Sequence, residues 1–201
     1  MIAALFVANP GCYIGLPDVD PWDKDRDARK YAGPWPVVAH PPCQLWVNFA
    51  ALNFKRWGGE HNRPGNDGGC FASALESVRR WGGVLEHPAF SNAWRAYNLP
   101  VPFWRTGGWV RSFLRDEWTC EVWQSAYGHR ARKRTWLYYC GASPPELDWA
   151  RPRGDMQIGK FDRIKPTLYG PKASATPLAF RDMLLDLARA SQPTQNARAA
   201  H

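Results

Sequence analysis

Two short segments of the chain carry side chains that could perform nucleophilic and acid–base chemistry. His40-Pro41-Pro42-Cys43 follows one apolar run, and Glu86-His87-Pro88 ends another. Short apolar runs of this kind predict buried strands, and a proline cannot continue a central strand, so the chain leaves the sheet at both places. Carboxyl ends of parallel strands meet at one edge of a sheet. We therefore expect the Cys43 thiol and the Glu86 carboxylate to lie in one crevice.

A third, strongly basic segment runs from Gln124 to Thr135 and holds four cations within five residues, namely Arg130, Arg132, Lys133 and Arg134. A thiol next to arginine side chains has a lowered pKa and acts as a nucleophile. We therefore expect these cations to activate Cys43. A basic loop at the rim of a crevice also predicts contacts with phosphate groups.

The elements that must position these segments follow from the hydrophobic pattern. Phe71, Leu75, Val78 and Trp81 recur at helical spacing. This helix, with Asp67 as its N-cap, lies between the strands that end at His40 and Glu86. A strand, a crossover helix and a second strand form a unit in which the two strands are neighbours and parallel.

The second half of the chain has a different pattern. Alternating residues at 118–123 and 135–140 predict an antiparallel hairpin, and Thr176-Pro177 predicts the start of a late helix. Residues 17–36 and 44–66 are interpreted as connections, the first with one short helix. We expect one α/β domain over residues 1–190, a Rossmann-like doubly wound sheet with an appended antiparallel hairpin, followed by a disordered tail over 191–201.

Composition restricts the class of protein and its partners. The chain has 201 residues, 12 of them Trp, and a net charge of +8 with a sequence pI near 9.5. Its ordinary hydrophobic content of 45% excludes wholesale disorder. An arginine-rich, aromatic-rich chain of this charge predicts a polyanionic partner, most often nucleic acid. Five cysteines without C-x-x-C spacing argue against a disulfide framework and a zinc ribbon. We expect a cytoplasmic protein without a membrane segment.

The order Pro-Pro-Cys, then Glu-x-Pro, then a hairpin with Gln, Tyr-Gly and Arg-Lys-Arg-Thr resembles the catalytic half of DNA cytosine-C5 methyltransferases, especially compact phage-type members. The matched blocks cover about residues 37–140. The cofactor half is short here, and Asn9-Pro10-Gly11 stands where the family has a glycine-rich loop. The resemblance implies DNA as partner, S-adenosylmethionine as cofactor and, for a phage-encoded chain, the cytoplasm of the host cell.

The resemblance also assigns roles to individual residues. Cys43 would attack C6 of a flipped-out cytosine, Glu86 would contact N3 and the exocyclic amine, and Arg132 and Arg134 would support the covalent site. Asn9, Pro10 and Gly11 would contribute to the cofactor site. The residues expected to contact nucleic acid, by phosphate contact or by base stacking, are Arg130, Lys133, Gln124, Tyr127 and Trp46, with Trp123 as a further stacking candidate.

The residues leave two other functions open. His40, Cys43 and His87 could ligate zinc with Glu86 as general acid or base, which would give a metal- or thiol-dependent enzyme acting on nucleotides. The chain could also be a DNA-binding module that has lost catalysis. The zinc hypothesis predicts a stoichiometric metal ion that is lost in His40→Ala. The binding-module hypothesis predicts a DNA affinity that is unchanged by Cys43→Ser and falls steeply with salt concentration.

Overall fold

The computed structural model describes residues 1–103, 105–113, 116–159 and 164–191. It is a mixed α/β structure in which a seven-stranded sheet lies between helices. The sheet strands are β1 (Ile2–Leu5), β2 (Val19–Trp22), β3 (Val37–Ala39), β4 (Gly83–Pro88), β5 (Val110–Arg111), β6 (Glu117–Trp123) and β7 (Arg134–Cys140). Two short strands, β8 (Gln157–Ile158) and β9 (Thr167–Leu168), form a separate pair.

The described helices lie between these strands and at the end of the chain. The α-helices are α1 (Ala50–Trp57), α2 (Cys70–Trp81), α3 (Asn92–Ala96), α4 (Gly170–Ser174) and α5 (Leu178–Ala190). Short 3-10 helices occur at Ala28–Lys30, Glu60–Asn62 and Gln124–Tyr127. No helix in the described part of the chain is long and apolar enough to cross a membrane. The tail predicted to be disordered lies, from residue 192 onward, outside the described residues.

The strand order is β2-β1-β3-β4-β7-β6-β5. Strands β2, β1, β3 and β4 are mutually parallel, which confirms the predicted β3-α2-β4 unit. Strand β7 pairs antiparallel with both β4 and β6, which confirms the predicted hairpin and attaches it to the parallel half. The carboxyl ends of β1, β3 and β4 therefore lie at one edge of the sheet, next to the connection between β6 and β7.

The alternation of side chains along the strands produces two cores. Ala3, Leu5 and Leu85 point to one face of the sheet and pack in the cluster that contains α2 and α3. Ile2 and Val84 belong to the opposite cluster, which contains the buried side of α5. Both faces of the sheet are thus covered, and the ends of the strands remain accessible for a site.

Glycine is required where α2 enters β4. Gly83 has a φ of 116°, and a Cβ atom at this position would overlap the backbone of Val37 in β3. The backbone at the start of β4 therefore lies in direct contact with the backbone of β3. The N-cap of α2 is Gly69 and not the predicted Asp67, but the Asp67 carboxylate accepts the backbone N–H groups of Gly69 and Phe71 at 3.0 and 2.8 Å and so assists the start of the helix.

Candidate functional site

A cleft of about 1170 Å³ opens at the carboxyl ends of β1, β3 and β4. Its walls come from six places in the sequence: the loop after β1, the segment after β3, the end of β4 with the residues that follow it, the end of the β6–β7 connection, Ile158 of β8, and the chain around α4. The lining includes His40, Cys43, Glu86 and Lys133. The structure therefore brings together the two segments that carry the predicted thiol and carboxylate.

Cys43 is half-buried in this cleft, in the turn that follows Pro41 and Pro42. Burial raises the pKa of its thiol, the charge of Glu86 raises it further, and Lys133 lowers it by a smaller amount. The net direction is upward, opposite to the activated thiol expected from the basic segment. The reason is that the arginines of that segment are directed elsewhere, so desolvation and a nearby carboxylate outweigh one lysine.

Glu86 is held by two side chains from different parts of the fold. His40 Nδ1 lies 3.1 Å from Glu86 Oε2, and Gln124 Nε2 donates to Oε1 at 3.2 Å. Burial by itself would raise the pKa of Glu86, but the hydrogen bond and charge of His40, together with Lys133, outweigh it and leave the pKa below its ordinary value. The side chains of His40 and Glu86 are each only 14% exposed. The cleft therefore holds an oriented, ionised carboxylate.

The tyrosine hydroxyl of Tyr13 continues this network, because it lies 2.9 Å from His40 Nε2. Tyr13 is buried and belongs to the loop after β1. It was not among the predicted site residues, although its position just beyond the carboxyl end of a strand was a signal that could have identified it. Burial raises the pKa of Tyr13 well above its ordinary value, so this hydroxyl stays protonated.

Gln124, predicted as a nucleic-acid contact, is instead a buried member of the site. It begins the 3-10 helix after β6, and its Nε2 also donates to Thr135 Oγ1 at 2.9 Å. Because Thr135 lies on β7, this amide is fixed between the two hairpin strands and Glu86. Its observed contacts orient the carboxylate.

The four cations of the β6–β7 connection have separate environments. Lys133 is the one whose charge acts on both Cys43 and Glu86, and its Nζ also donates to the backbone oxygen of Ser174 at 3.1 Å. Arg130 is exposed and forms an ion pair with Asp155. Lys133, predicted as a phosphate contact, is thus the cation that acts on the pKa of both Cys43 and Glu86. The predicted catalytic arginines, Arg132 and Arg134, do not act on either group.

Arg134 lines the cleft and pairs with a buried carboxylate behind the cleft surface. Its guanidinium donates to both carboxylate oxygens of Glu121, at 2.8 and 2.9 Å, and lies 4.5 Å from the centre of the Phe90 ring. Arg132 is exposed and lies over the ring of Trp123 at 5.2 Å. Arg132 and Arg134 both line the cleft, but their observed partners are an indole and a carboxylate.

The aromatic side chains predicted to stack on a base lie outside the cleft lining. Trp46 is 7% exposed and donates its indole N–H to Asp67 at 2.8 Å, and Tyr127 packs against Phe180 of α5. The rings that line the cleft are Phe6, Tyr13 and Phe90, of which Phe90 is 45% exposed. Phe90 is therefore the most exposed of these three rings, and it follows Glu86 by four residues in the sequence.

His87 is directed into the protein core and is 1% exposed. Its Nδ1 lies 2.7 Å from Ser91 Oγ, and burial lowers its pKa to about 4. In the part of the chain that the structure describes, no three His, Cys, Asp or Glu side chains are grouped so that they could hold a metal ion. The zinc set of His40, Cys43 and His87 is thus not assembled by this fold.

The predicted cofactor residues lie in the loop that joins β1 to β2. Pro10 and Gly11 line the cleft, whereas Asn9 turns its amide to Asp23 Oδ2 at 3.0 Å. A side chain at Gly11 would overlap the carbonyl oxygen of Ala8, so the tight turn of this wall requires glycine. Asp23 directly follows β2, which places a carboxylate beside the loop.

The chain was compared with protein-family models, with curated proteins and with solved structures, and none of the three comparisons found a match.

Proposed function

We propose that this protein modifies DNA at C5 of cytosine, in the manner of the cytosine-C5 methyltransferases that its three sequence blocks resemble. The observation that carries the proposal is the shared cleft: Cys43, in the segment after β3, and Glu86, in the adjacent parallel strand β4, line one space, and the charge of Glu86 acts on the thiol. The Rossmann-like, doubly wound interpretation belongs to the same proposal and is supported by the parallel strands with helices on both faces.

The chemistry requires a nucleophile and a group that stabilises charge on the pyrimidine. C5 of cytosine becomes nucleophilic only after addition at C6, which the Cys43 sulfur would perform as a thiolate. Negative charge then develops at N3 and O2, and Glu86 would contact N3 and the exocyclic amine. Lys133, whose charge reaches both Cys43 and Glu86, would stabilise the thiolate and the developing anion. Arg134, fixed by Glu121, would keep the cleft wall in place.

A base inside a duplex cannot enter this cleft, so the target nucleotide would have to be extruded from the helix. Phe90 offers an accessible ring for stacking at the cleft. The exposed guanidinium of Arg132 at the rim and the net charge of +8 favour contact with the phosphate backbone. DNA is therefore the partner that we propose.

The residues present fit S-adenosylmethionine as the second ligand. The cleft exceeds the ~300–1,000 Å³ typical of small-molecule pockets, so it has room for a base and a nucleoside-sized cofactor. The loop from Phe6 to Tyr13 would form the wall of the cofactor site. Asp23, which follows β2 and accepts a hydrogen bond from Asn9 of this loop, would bind the ribose hydroxyls, as a carboxylate after the second strand does in dinucleotide-binding sheets. When bound, this cofactor supplies an electrophilic methyl group.

One observation favours a second candidate, a DNA-binding module without catalysis. Burial and Glu86 raise the pKa of Cys43, which keeps the thiol protonated at neutral pH before a substrate arrives. In that case the cleft would bind an extruded base and the thiol would never react. The candidates differ in whether a covalent bond forms.

The test is covalent trapping on a suicide substrate. The protein is incubated with S-adenosylmethionine and duplex DNA containing 5-fluorocytosine, and its intact mass is measured. We expect a mass increase equal to the DNA plus one methyl group, lost in Cys43→Ser. Cys70→Ser is the matched control, because Cys70 is a free, partly exposed cysteine at the start of α2, is not among the residues that line the cleft, and should leave the adduct unchanged. A wild-type protein that binds the DNA but gives no adduct supports the binding module, and an adduct that survives Cys43→Ser contradicts the assignment of the nucleophile.

A further inference from the structure

The hydrogen-bonded series Tyr13–His40–Glu86 contains one titratable group to which the proposed chemistry assigns no task. His40 lies between the hydroxyl of Tyr13, 2.9 Å from Nε2, and the carboxylate of Glu86, 3.1 Å from Nδ1. Three separate segments, the β1 loop, the end of β3 and the middle of β4, are thus connected through one imidazole. A ring fixed at both nitrogens cannot turn without breaking a hydrogen bond, so its orientation toward Glu86 is set by the fold.

The proposed reaction needs a proton that Glu86 does not hold. Addition of a thiolate at C6 places an electron pair on N3, and this pair is stabilised by protonation. The pKa of Glu86 lies below its ordinary value, so this side chain is a carboxylate at neutral pH. Gln124 already donates to its other oxygen, which leaves His40 as the hydrogen-bonded neighbour that can supply a proton to the carboxyl group.

We propose that His40 is the proton source for N3 of the pyrimidine, acting through Glu86. This inference rests on the proposed function. As the Cys43 sulfur forms its bond to C6, the C5–C6 π electrons shift and N3 gains a lone pair with negative charge. One proton passes from His40 Nδ1 to Glu86 Oε2 and from there to N3. The products are the covalent adduct protonated at N3, an unchanged carboxylate and a neutral imidazole.

Tyr13 suits both charge states of this imidazole. Its hydroxyl stays protonated, because burial raises its pKa well above the ordinary value, and it can accept the Nε2–H of the ring before and after transfer. The proton therefore leaves from Nδ1 alone, in the direction of Glu86. Tyr13 also belongs to the wall proposed for the cofactor, so the same hydroxyl fixes that wall to the group that serves the base.

The other charged groups facing this network are few in the described part of the chain. Lys133 acts on Glu86 from the β6–β7 connection, and His87 acts on it from β4 itself. Arg181 and Asp182 of α5 act on Tyr13 with opposite signs. Cys12, beside Tyr13, raises the pKa of that hydroxyl. None of these side chains is hydrogen-bonded to His40, whose direct partners are Tyr13 and Glu86.

The experiment measures the rate of adduct formation on 5-fluorocytosine DNA from pH 5 to 10 in the wild type and in His40→Asn. Asparagine can place an amide donor near the position of Nδ1 but cannot release a proton. With a protonated imidazole and an ionised thiol both required, the wild-type rate is constant between the two ionisations and falls on either side. In His40→Asn we expect a rate about 100-fold lower near neutral pH, at the low end of the ~10²–10⁴-fold contribution of general acids, rising about tenfold per pH unit until the thiol ionises.

Separate outcomes identify which idea fails. A His40→Asn protein with the wild-type rate and a flat pH profile overturns the role of His40, while the adduct itself still supports the proposed function. A wild-type protein that binds the DNA but gives no adduct contradicts the proposed function itself, and with it the role of His40. If His40→Asn does not fold, as judged by circular dichroism, His40→Gln places its amide toward Tyr13 instead and gives the same non-ionisable test. A rate that is merely lowered at every pH, with the flat region retained, also contradicts proton supply by His40.

Discussion

Replacing Glu121 by glutamine should destabilise the protein more than any change at an exposed carboxylate. The side chain of Glu121 is fully buried, and each of its oxygens accepts two hydrogen bonds. Oε1 accepts from Arg134 Nε at 2.8 Å and Trp123 Nε1 at 3.2 Å, and Oε2 accepts from the second nitrogen of Arg134 and from Trp136 Nε1, both at 2.9 Å. Four donors from three side chains therefore converge on one carboxylate.

Glutamine keeps the shape but supplies a single acceptor oxygen. Its amide nitrogen would face two donors that it cannot accept, so two of the four hydrogen bonds are lost along with the charge that pairs with Arg134. Hydrogen bonds to charged groups contribute about 1.5–3 kcal/mol each, and removing one partner of a buried ion pair costs about 3–5 kcal/mol. We take about 3 kcal/mol as the expected loss, because Arg134 is still one-quarter exposed and can recover some hydration.

The assay is urea unfolding followed by tryptophan fluorescence. With an m-value of about 2 kcal/mol/M, a loss of about 3 kcal/mol lowers the midpoint by about 1.5 M. Glu60→Gln is the matched control: Glu60 is 69% exposed and pairs only with Arg63 on the surface, so its replacement should change the free energy of unfolding by less than about 0.5 kcal/mol. A Glu121→Gln protein within 1 kcal/mol of the wild type would refute the view that this cluster holds the hairpin and Arg134 in place.

Three further measurements test other parts of the structure. Lys133→Met should raise the pKa of the Cys43 thiol, seen as slower alkylation by iodoacetamide at a fixed pH, whereas Arg132→Met, at an exposed site, should leave the rate unchanged. The pKa of His87 is lowered to about 4, so its contribution is present above the ordinary value near 6.5 and is lost as pH falls toward 4; the wild type should lose about 3 kcal/mol more over this window than His87→Asn, as measured by urea midpoints at each pH. Asp67→Ala removes the acceptor of two N–H groups at the start of α2 and of the Trp46 indole N–H, and should cost about 1–2 kcal/mol in the same unfolding assay; a cost near zero would contradict a stabilising role for these hydrogen bonds.

The β3-α2-β4 unit was predictable because its residues obey simple periodicities. The helical spacing of Phe71, Leu75 and Val78 matches the buried face of α2, and these three side chains pack in the core as expected. Pro41 and Pro42 follow the end of β3 as predicted, but His87 and Pro88, which were predicted to end the next strand, belong to β4 and pair with β7. Where one face of an element is buried and the other is exposed to solvent, the spacing of apolar residues predicts the element.

Several short elements were not predicted, and in β2 and α1 the reason is that the surroundings override the local signal. Pro21 argues against a strand, yet β2 lies at the edge of the sheet and has one neighbour, β1, so the missing N–H costs no interior hydrogen bond. Helix α1 buries only Ala50, while Leu52 and Trp57 are more than 60% exposed. A helix whose large apolar side chains face solvent has no buried stripe for a periodicity argument to detect.

The candidate site was predictable in location and only partly in composition. Strand ends placed Cys43 and Glu86 together, but the partners of Glu86 come from 46 positions earlier and 38 positions later in the chain. Such contacts depend on tertiary packing. The direction of each cation in the β6–β7 connection is likewise set by what it meets, a buried carboxylate for Arg134 and the cleft for Lys133. A run of basic residues in the sequence therefore identifies the segment, but the contacts of each cation are determined by the tertiary structure.

The same burial acts on Cys43 and Glu86 with opposite results, and this difference couples them. Desolvation opposes charge on both groups, yet Glu86 keeps its charge because His40 is hydrogen-bonded to it, and that charge in turn raises the pKa of the thiol. In the proposed complex, the exocyclic amine of a docked cytosine donates a hydrogen bond to Glu86 and offsets part of the carboxylate charge. One of the two causes that keep the thiol protonated is then weaker. Ionisation of Cys43 would therefore follow from docking of the base, and an empty cleft would keep its nucleophile unreactive.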